Sequence, residues 1–235
     1  MAKGKGFRGA SAGGSVSTMI ISHGRRYIFV HIPKTGGTAM ALALESRAMK
    51  DDLMLGDTPK AAKRRRKLKD AQTRGRLWKH STLADIDGLV TPAQLDDYFC
   101  FTLVRNPWNR MVSYYHWLQA QGFDHPAVRL AKNLPFSAFL NHPVTLASLK
   151  AAPPPFYMTD ARGQVHCKSY IRLEHFEEDS APLHEFLGFD VVLDRVNPSD
   201  RSRDWRSFYS ESDSRLIAEI CPFEVNAMGY TFDQG

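Results

Sequence analysis

The sequence predicts an α/β domain in which a central parallel sheet lies between two layers of helices, and two stretches lead to that prediction. Tyr27 to Ile32 is a short run of apolar, β-branched and aromatic residues that is typical of a buried strand, and Pro33 ends it. Asp97 to Val104 is a second run of the same kind. Each run is followed at once by a helix signal, and strands that pass directly into helices are typical of parallel α/β folds.

Length and composition narrow the classes of protein that the chain could be. Its 235 residues are enough for one domain with a substantial core, and 43% hydrophobic with 24% charged residues is ordinary for a globular protein. The net charge of +6 favours anionic partners, but no zinc-finger or RNP motif indicates nucleic acid. Three cysteines without a C-x-x-C pair fit neither a disulfide framework nor a zinc site, so we expect a reducing compartment and no metal.

The first 18 residues differ in composition from the rest. They are rich in Gly, Ser, Ala, Lys and Arg and have almost nothing to bury, so we expect a disordered basic tail over 1–18 and one domain over 19–235. No apolar run approaches the ~18 residues of a membrane span, and no signal-peptide core is present at the N-terminus.

The first strand is followed by the segment Lys34-Thr35-Gly36-Gly37-Thr38, which contains a cation, two glycines and two hydroxyls. A helix is predicted from Ala39, with Thr38 as its N-cap. A strand, a tight loop and a helix N-terminus form a P-loop-like arrangement, whose amide groups and helix dipole favour phosphate or sulfate. The loop is not a Walker A loop, in which the lysine follows the second glycine, and G-x-G-x-x-G is absent. A Gly-Gly turn could also serve only to join the strand to the helix.

A second motif follows the other strand. Arg105 ends that strand, Asn106 is a predicted N-cap, and Pro107 falls at the first helical position, where the missing N–H costs nothing. Ser113 lies about two turns into the helix, on the same face as Arg110. A guanidinium group can bind a phosphate dianion bidentately, so Arg105 is either an anion ligand or part of a surface ion pair.

Together the two motifs resemble those of a known family. HIPKTGGT resembles the 5′-phosphosulfate loop, and FTLVRNPWNRMVS the 3′-phosphate motif, of sulfotransferases that use 3′-phosphoadenosine 5′-phosphosulfate (PAPS), especially carbohydrate sulfotransferases. The resemblance covers roughly Tyr27 to Phe232. It implies that residues 34–38 hold the 5′-phosphosulfate and that Arg105 and Ser113 hold the 3′-phosphate, with no metal. Golgi relatives carry a membrane anchor, so the lack of one here suggests a cytoplasmic enzyme of bacterial type.

The segment between the motifs contains a basic run and a candidate base. Lys60 to Lys79 holds ten Lys and Arg residues against one acidic residue, which indicates either a solvated helix face or a basic rim that steers an anionic donor. His80 follows in a KHST segment that resembles one in bacterial sulfotransferases, and related 2-O-sulfotransferases use a histidine there as the base. The alternative is a histidine that caps a short helix reaching about Leu89. His116 and Glu174 are the other candidate bases.

The remaining segments are assigned more loosely. Aromatic residues 114, 115 and 117 are predicted to be core rather than an acceptor surface, and 122–150 is the region expected to bind the acceptor. Lys168 to Leu173 is predicted as a third strand, and Arg172-Leu173-Glu174 resembles the family's Arg-x-Glu element near the donor. Arg201 and Arg203 lie in a polar loop which, in the family, closes over the nucleotide.

The predicted reaction is transfer of a sulfuryl group from PAPS to a hydroxyl acceptor, expected to be a glycan, with PAP as the nucleotide product. Lys34 and His80 are the predicted catalytic residues. One alternative is a P-loop-type nucleotide phosphotransferase (kinase), which should have a lysine after the glycines and an acidic magnesium ligand on a strand. The other is a catalytically inactive nucleotide-binding module, which would lack the base.

Overall fold

One five-stranded mixed sheet organises the chain in the order β3-β1-β2-β4-β5. The computed structural model describes residues 16–194 and 204–233. The strands are β1 Thr18–Ser22, β2 Tyr27–Val30, β3 Leu53–Gly56, β4 Phe99–Val104 and β5 Ser169–Arg172. Strands β2, β4 and β5 run parallel, whereas β1 pairs antiparallel with β2 and β3. The predicted parallel sheet is therefore present, and an antiparallel pair extends it on one side.

Helices connect these strands and pack outside the sheet. They are α1 Gly37–Ser46, α2 Pro59–Arg64, α3 Pro92–Asp97, α4 Pro107–Gln119, α5 Pro126–Asn133, α6 Phe136–Leu140, α7 Pro143–Ala151, α8 Pro154–Tyr157, α9 Phe176–Asp179, α10 Ala181–Leu187 and α11 Glu211–Ile220. Short 3₁₀ turns cover Arg65–Leu68, Leu173–His175 and Arg206–Phe208, and a π turn covers Phe223–Ala227. No helix of the described ranges is both long and apolar enough to cross a membrane.

The central strand β2 explains why the fold has three layers. All four of its residues are buried, and alternate side chains point to opposite faces of the sheet. Tyr27 and Phe29 pack with Met40 of α1 in one cluster, whereas Ile28 and Val30 pack in another with residues of the segment between α2 and α4. The three-layer α/β/α prediction is confirmed.

The antiparallel side of the sheet corrects two predictions. Residues 17 and 18 fall in the predicted disordered tail, but Ser17 is buried and Thr18 begins β1. The segment from Asp51 to Pro59 has no strand pattern in the sequence, which predicts a loop, but it contains β3. Both strands are short, and β3 lacks a pattern of its own because its conformation depends on pairing with β1. Residues 1–15 lie outside the described ranges.

Candidate anion-binding site at the carboxyl edge of the sheet

The loop between β2 and α1 turns on its two glycines. Gly36 is the N-cap of α1 at φ 86°, in the left-handed region that glycine enters without strain, so the predicted N-cap at Thr38 is wrong. A Cβ on Gly36 would lie 2.7 Å from a methyl carbon of Leu173, and one on Gly37 would lie 2.0 Å from the His31 ring. Both glycines are therefore required by the backbone conformation or by a close neighbour.

The first turn of α1 presents donors for an anion. In the described chain the amides of Gly37 and Thr38 donate to no other residue, as expected for the first turn of a helix. The helix dipole adds partial positive charge at this end. The Thr35 side chain points the other way, because its buried hydroxyl donates to the carbonyl of Ile32 at 2.9 Å. Thr35 thus holds the shape of the loop, while residues 36–38 carry the amide groups that a ligand could contact.

Two arginines of the second motif contact the backbone of this loop. Arg105 Nη1 donates to the Lys34 carbonyl at 3.3 Å, and Arg110 Nε donates to the Pro33 carbonyl at 3.1 Å. Lys34 lies at φ 67°, a left-handed conformation that a residue with a side chain adopts only where its surroundings impose it. Arg105 does pair with Glu174 at 4.0 Å, but its side chain is only 14% exposed, so the pair is largely covered rather than at the surface. The two motifs form one structural unit.

The turn that carries Arg105 is formed as predicted. Asn106 caps α4 by accepting from the Asn109 amide at 3.1 Å, and Pro107 occupies the first helical position. Ser113 lies on α4, partly buried, and its hydroxyl forms no hydrogen bond to a described residue. It is thus available to a ligand on the face of α4 that also carries Arg110.

Glu174 supports the same turn from β5. Its carboxylate accepts from the Asn106 amide at 3.1 Å and from the Tyr230 hydroxyl at 2.7 Å, and it lies 4.0 Å from Arg105 Nε. Three donors or charges thus occupy its oxygens, which makes Glu174 a support of the site and a poor candidate base. Arg172 is directed elsewhere, since it forms a bidentate pair with Asp179.

His80 lies beside the loop with a defined tautomer. Its Nδ1 is 2.9 Å from the carbonyl oxygen of His31, and a carbonyl oxygen can only accept, so Nδ1 carries the proton and Nε2 keeps a lone pair. Burial lowers the pKa of His80 to about 4, partly opposed by that hydrogen bond. His80 is therefore neutral at pH 7 and able to accept a proton. The alternative helix cap is wrong, because no helix forms between residues 77 and 91.

His31 lies at the site, although the sequence indicates it only as a member of the HIPKTGGT motif. It is buried, its Nδ1 lies 2.7 Å from the Ser17 hydroxyl, and its ring centroid lies 4.5 Å from that of His80. Burial lowers the pKa of His31 well below its usual value, and nearby His80 and Lys79 lower it further. A histidine at the end of an otherwise apolar strand was the available signal.

His116 is separated from these groups by its packing. Its ring lies edge-on to Phe208 at 5.2 Å and to Tyr115 at 5.4 Å, and its buried Nε2 has no hydrogen-bond partner among the described residues. The ring of His116 therefore packs against aromatic side chains and not against the loop. Arg201 and Arg203 lie outside the described residues.

The basic run does not line the loop. Strands β2 and β3 point the same way, and α2 runs back from the end of β3 toward its beginning. Arg64 donates to the Met49 carbonyl at 2.7 Å, and Lys67 donates to the Lys50 carbonyl, both just before β3. Since α1 spans about 15 Å from the loop to Ser46, this part of the run lies near the opposite edge of the sheet.

Lys79 is the exception within the basic run. It pairs with Asp57 at 2.9 Å, and Asp57 also accepts from the Ser17 amide at 2.7 Å, close to His31.

Within the described ranges no group of three or more His, Cys, Asp or Glu residues is suited to hold a metal ion.

These features define an α/β protein with a loop suited to an anion at the carboxyl ends of parallel strands, the position where open α/β sheets bind ligands. The sequence model of the sulfotransferase family matches residues 17–211, so the chain belongs to the sulfotransferase family, and the resemblance seen in its motifs is confirmed. Among solved structures, mouse sulfotransferase SULT7A1 complexed with PAP is similar at 17% identity, with 88% of this chain and 87% of that chain covered and a TM-score of 0.44. No curated protein matches significantly.

Proposed function

We propose that this protein transfers the sulfuryl group of PAPS to a hydroxyl of a carbohydrate. The observation that carries the proposal is the position of His80, whose unprotonated Nε2 belongs to a ring fixed to the backbone of the donor loop. A base of this kind is what a hydroxyl acceptor needs, since its proton must leave as the oxygen attacks sulfur. The family supplies the type of group that is transferred.

The donor loop is suited to the leaving group of that reaction. Lys34 and the amides of Gly36, Gly37 and Thr38 would hold the 5′-phosphosulfate at the N-terminus of α1. As the bond between sulfur and the phosphate oxygen breaks, the electron pair stays on that oxygen, and fixed cations and amides stabilise the developing charge. No metal is assigned to this task.

The acceptor side completes the balance of the reaction. The acceptor oxygen forms the new bond to sulfur, its proton passes to Nε2 of His80, and PAP leaves with the electron pair. The low pKa of His80 keeps Nε2 available as a base at neutral pH, because the ring is not protonated before the acceptor arrives.

The nucleotide end is assigned to Arg105 and Ser113, which would hold the 3′-phosphate, with Arg201 and Arg203 closing over the nucleotide. The support for Arg105 is its restricted exposure and its contacts with Lys34 and Asn109, which orient the guanidinium group at the edge of the loop. A charge-assisted pair with a phosphate is strongest where the donor is held in this way.

We also propose that the enzyme works in the cytoplasm. Cys100, Cys167 and Cys221 are all free thiols, and two of them are buried, as is common in a reducing compartment. The kinase alternative finds no support in the loop, where Lys34 precedes both glycines.

Two measurements test the proposal. Calorimetry should show that PAP binds far more tightly than AMP or ATP, because only PAP carries a 3′-phosphate. Incubation with radiolabelled PAPS and a panel of oligosaccharides and small hydroxylated compounds should transfer label to a carbohydrate. Equal affinity for PAP and AMP would contradict the donor assignment, and label on no hydroxyl compound would contradict the activity.

A further inference from the structure

One face of α4 lies against the donor loop and carries aromatic rings. Arg110, Tyr114 and Trp117 are spaced i, i+4 and i+7, so they lie in one stripe along the helix. At one end of the stripe Arg110 Nε donates to the Pro33 carbonyl at 3.1 Å. At the other end the Lys34 ammonium lies 5.6 Å from the centroid of the Trp117 ring. The stripe therefore lies along the loop, from the Pro33 carbonyl to the Lys34 side chain.

The aromatic surface continues from the helix into the next segment. The Tyr114 and Trp117 rings are nearly parallel, 17° apart with centroids at 6.1 Å, and Trp117 lies 6.1 Å from Phe123. Phe123 is 49% exposed, so the surface ends in solvent. By contrast, Tyr115 and Leu118, on the other side of α4, are buried in the core as expected from the sequence. Tyr114 and Trp117 pack against the same core cluster but are only partly buried, so the prediction that they are core holds only in part.

A second exposed aromatic ring lies beside the proposed base. Trp78 is 42% exposed, and its ring meets that of His80 edge-on with centroids 5.0 Å apart. Aromatic rings therefore accompany both Lys34 and His80, the two residues between which the transferred group would pass. A contiguous group of aromatic side chains at the surface is typical of a binding site, whereas single exposed rings are ordinary.

Polar groups lie among these rings. No described residue forms a hydrogen bond with the hydroxyl of Tyr114 or Tyr157. Burial raises the pKa of both, and Arg110 acts on both in the opposite direction, so both tyrosines lie near this arginine. Two protonated hydroxyls and a guanidinium group thus stand close to the aromatic stripe.

We propose that Tyr114, Trp117 and Phe123, together with Trp78 beside His80, form the acceptor subsite and stack on the apolar C–H face of a sugar ring. The inference rests on the proposed function. A pyranose has an apolar face and a rim of hydroxyl groups, so it needs an aromatic ring beneath it and hydrogen-bond partners around it. The rings at both ends are exposed, so the surface is open and suits an oligosaccharide that extends past the reacting residue.

The test compares variants at the exposed end of this surface. Phe123→Ala should raise the KM for a neutral oligosaccharide acceptor by roughly 5- to 150-fold, the range for loss of one stacked ring, with kcat changed less than about twofold. Phe123→Trp should restore the wild-type KM, which a merely structural defect would not predict. Trp117→Phe, which keeps a ring beside Lys34, should raise KM by a smaller factor.

A matched control is available on the far side of the sheet. Phe186 is 42% exposed and packs on Phe99, the first residue of β4, at the edge opposite the loop. Phe186→Ala should leave KM and kcat unchanged. All variants should bind PAP with wild-type affinity in calorimetry, because the aromatic surface is assigned to the acceptor.

The panel is made of neutral glucose, galactose and N-acetylglucosamine oligosaccharides, with p-nitrophenol as a small aromatic acceptor. Tryptophan fluorescence in the presence of PAP reports binding without turnover. An unchanged oligosaccharide KM in Phe123→Ala and Trp117→Phe overturns the subsite while the proposed function stands. No fluorescence change with any oligosaccharide overturns the aromatic surface as a sugar site. Transfer to p-nitrophenol alone overturns both the sugar site and the carbohydrate acceptor of the proposed function. Failure of wild-type protein to bind PAP removes the proposed function itself.

Discussion

Two groups of cations in this protein differ in where the fold puts them. Lys34, Arg105 and Arg110 lie at the carboxyl edge of the sheet, and the two arginines are fixed by hydrogen bonds to the loop backbone. The larger group, from Lys60 to Lys79, contains exposed residues such as Lys63, Arg65 and Arg66 along α2 and the turn after it. The small group is ordered and partly buried, whereas most of the large group faces solvent.

The difference shows that the number of charges in a segment is a poor guide to its role. Exposed cations interact with a distant anion through water and salt, and the interaction decays over about 8 Å at physiological ionic strength. A cation held in a partly buried position acts through short hydrogen bonds that salt screens much less. We therefore expect the three cations of the carboxyl edge to control donor binding and the basic run to contribute little.

The largest expected effect belongs to the base at the carboxyl edge. His80→Ala should reduce kcat by roughly 10²- to 10⁴-fold, the usual share of general base catalysis, while PAP affinity stays at the wild-type value. Steady-state kinetics and calorimetry measure the two quantities. His175→Asn, which replaces an exposed histidine whose side chain caps no helix, is the control and should be neutral.

The pH profile sharpens the same prediction. The pKa of His80 is about 4, so the lone pair on Nε2 is available at neutral pH and is lost as pH falls through that value. Wild-type kcat/KM should therefore have an acidic limb near pH 4, and His80→Ala should lack it. If His80→Ala keeps near-normal turnover, the base is another residue and the role given to His80 is wrong.

Next in size is the loss of an arginine at the carboxyl edge. Arg105→Ala should weaken PAP binding by about 1.5 to 3 kcal/mol, the range for a charge-assisted hydrogen bond, and AMP binding by much less. Arg110→Ala, which removes only the contact with the Pro33 carbonyl on this loop, should affect PAP and AMP equally. Calorimetry with both nucleotides distinguishes a residue that binds the 3′-phosphate from one that supports the loop. If Arg105→Ala weakens PAP and AMP binding equally, the assignment of Arg105 is contradicted.

A third prediction concerns the fit between the loop and His31. Gly37→Ala adds a Cβ where the His31 ring already lies, and overpacking of this kind should lower the free energy of unfolding by about 1 to 3 kcal/mol. Denaturant titration measures the loss. The double variant His31→Ala with Gly37→Ala should lose less than the sum of the two single variants, because the clash disappears. Strict additivity would mean that the two residues do not touch.

The smallest effect is expected in the basic run. Replacing Lys63, Arg65, Arg66 and Lys69 by Gln, with Arg64 kept because it holds the Met49 carbonyl, should change kcat/KM by less than about twofold at physiological salt. The measurement is repeated at low ionic strength. A large loss that grows as salt is removed would show that the run steers the donor after all, and would erase the contrast between the two groups of cations.

The sequence by itself determined the features that depend on neighbouring residues. Asn106 and Pro107 start α4 because a cap side chain and a fixed φ act within one turn. The two motifs also indicated which edge of the sheet carries the site, since both follow buried strands. Short-range patterns such as these are legible without any knowledge of the fold.

The tertiary structure decided what depends on contacts between distant residues. Gly36 rather than Thr38 caps α1 because the loop turns through a left-handed conformation beside Leu173, and β1 and β3 form because they pair with each other. Two hydrogen bonds are likewise contacts across the fold. Arg64 donates to the Met49 carbonyl, which holds the basic run away from the loop, and the His31 carbonyl fixes the tautomer of His80. None of these contacts joins neighbours in the chain, so no local pattern in the sequence could predict them.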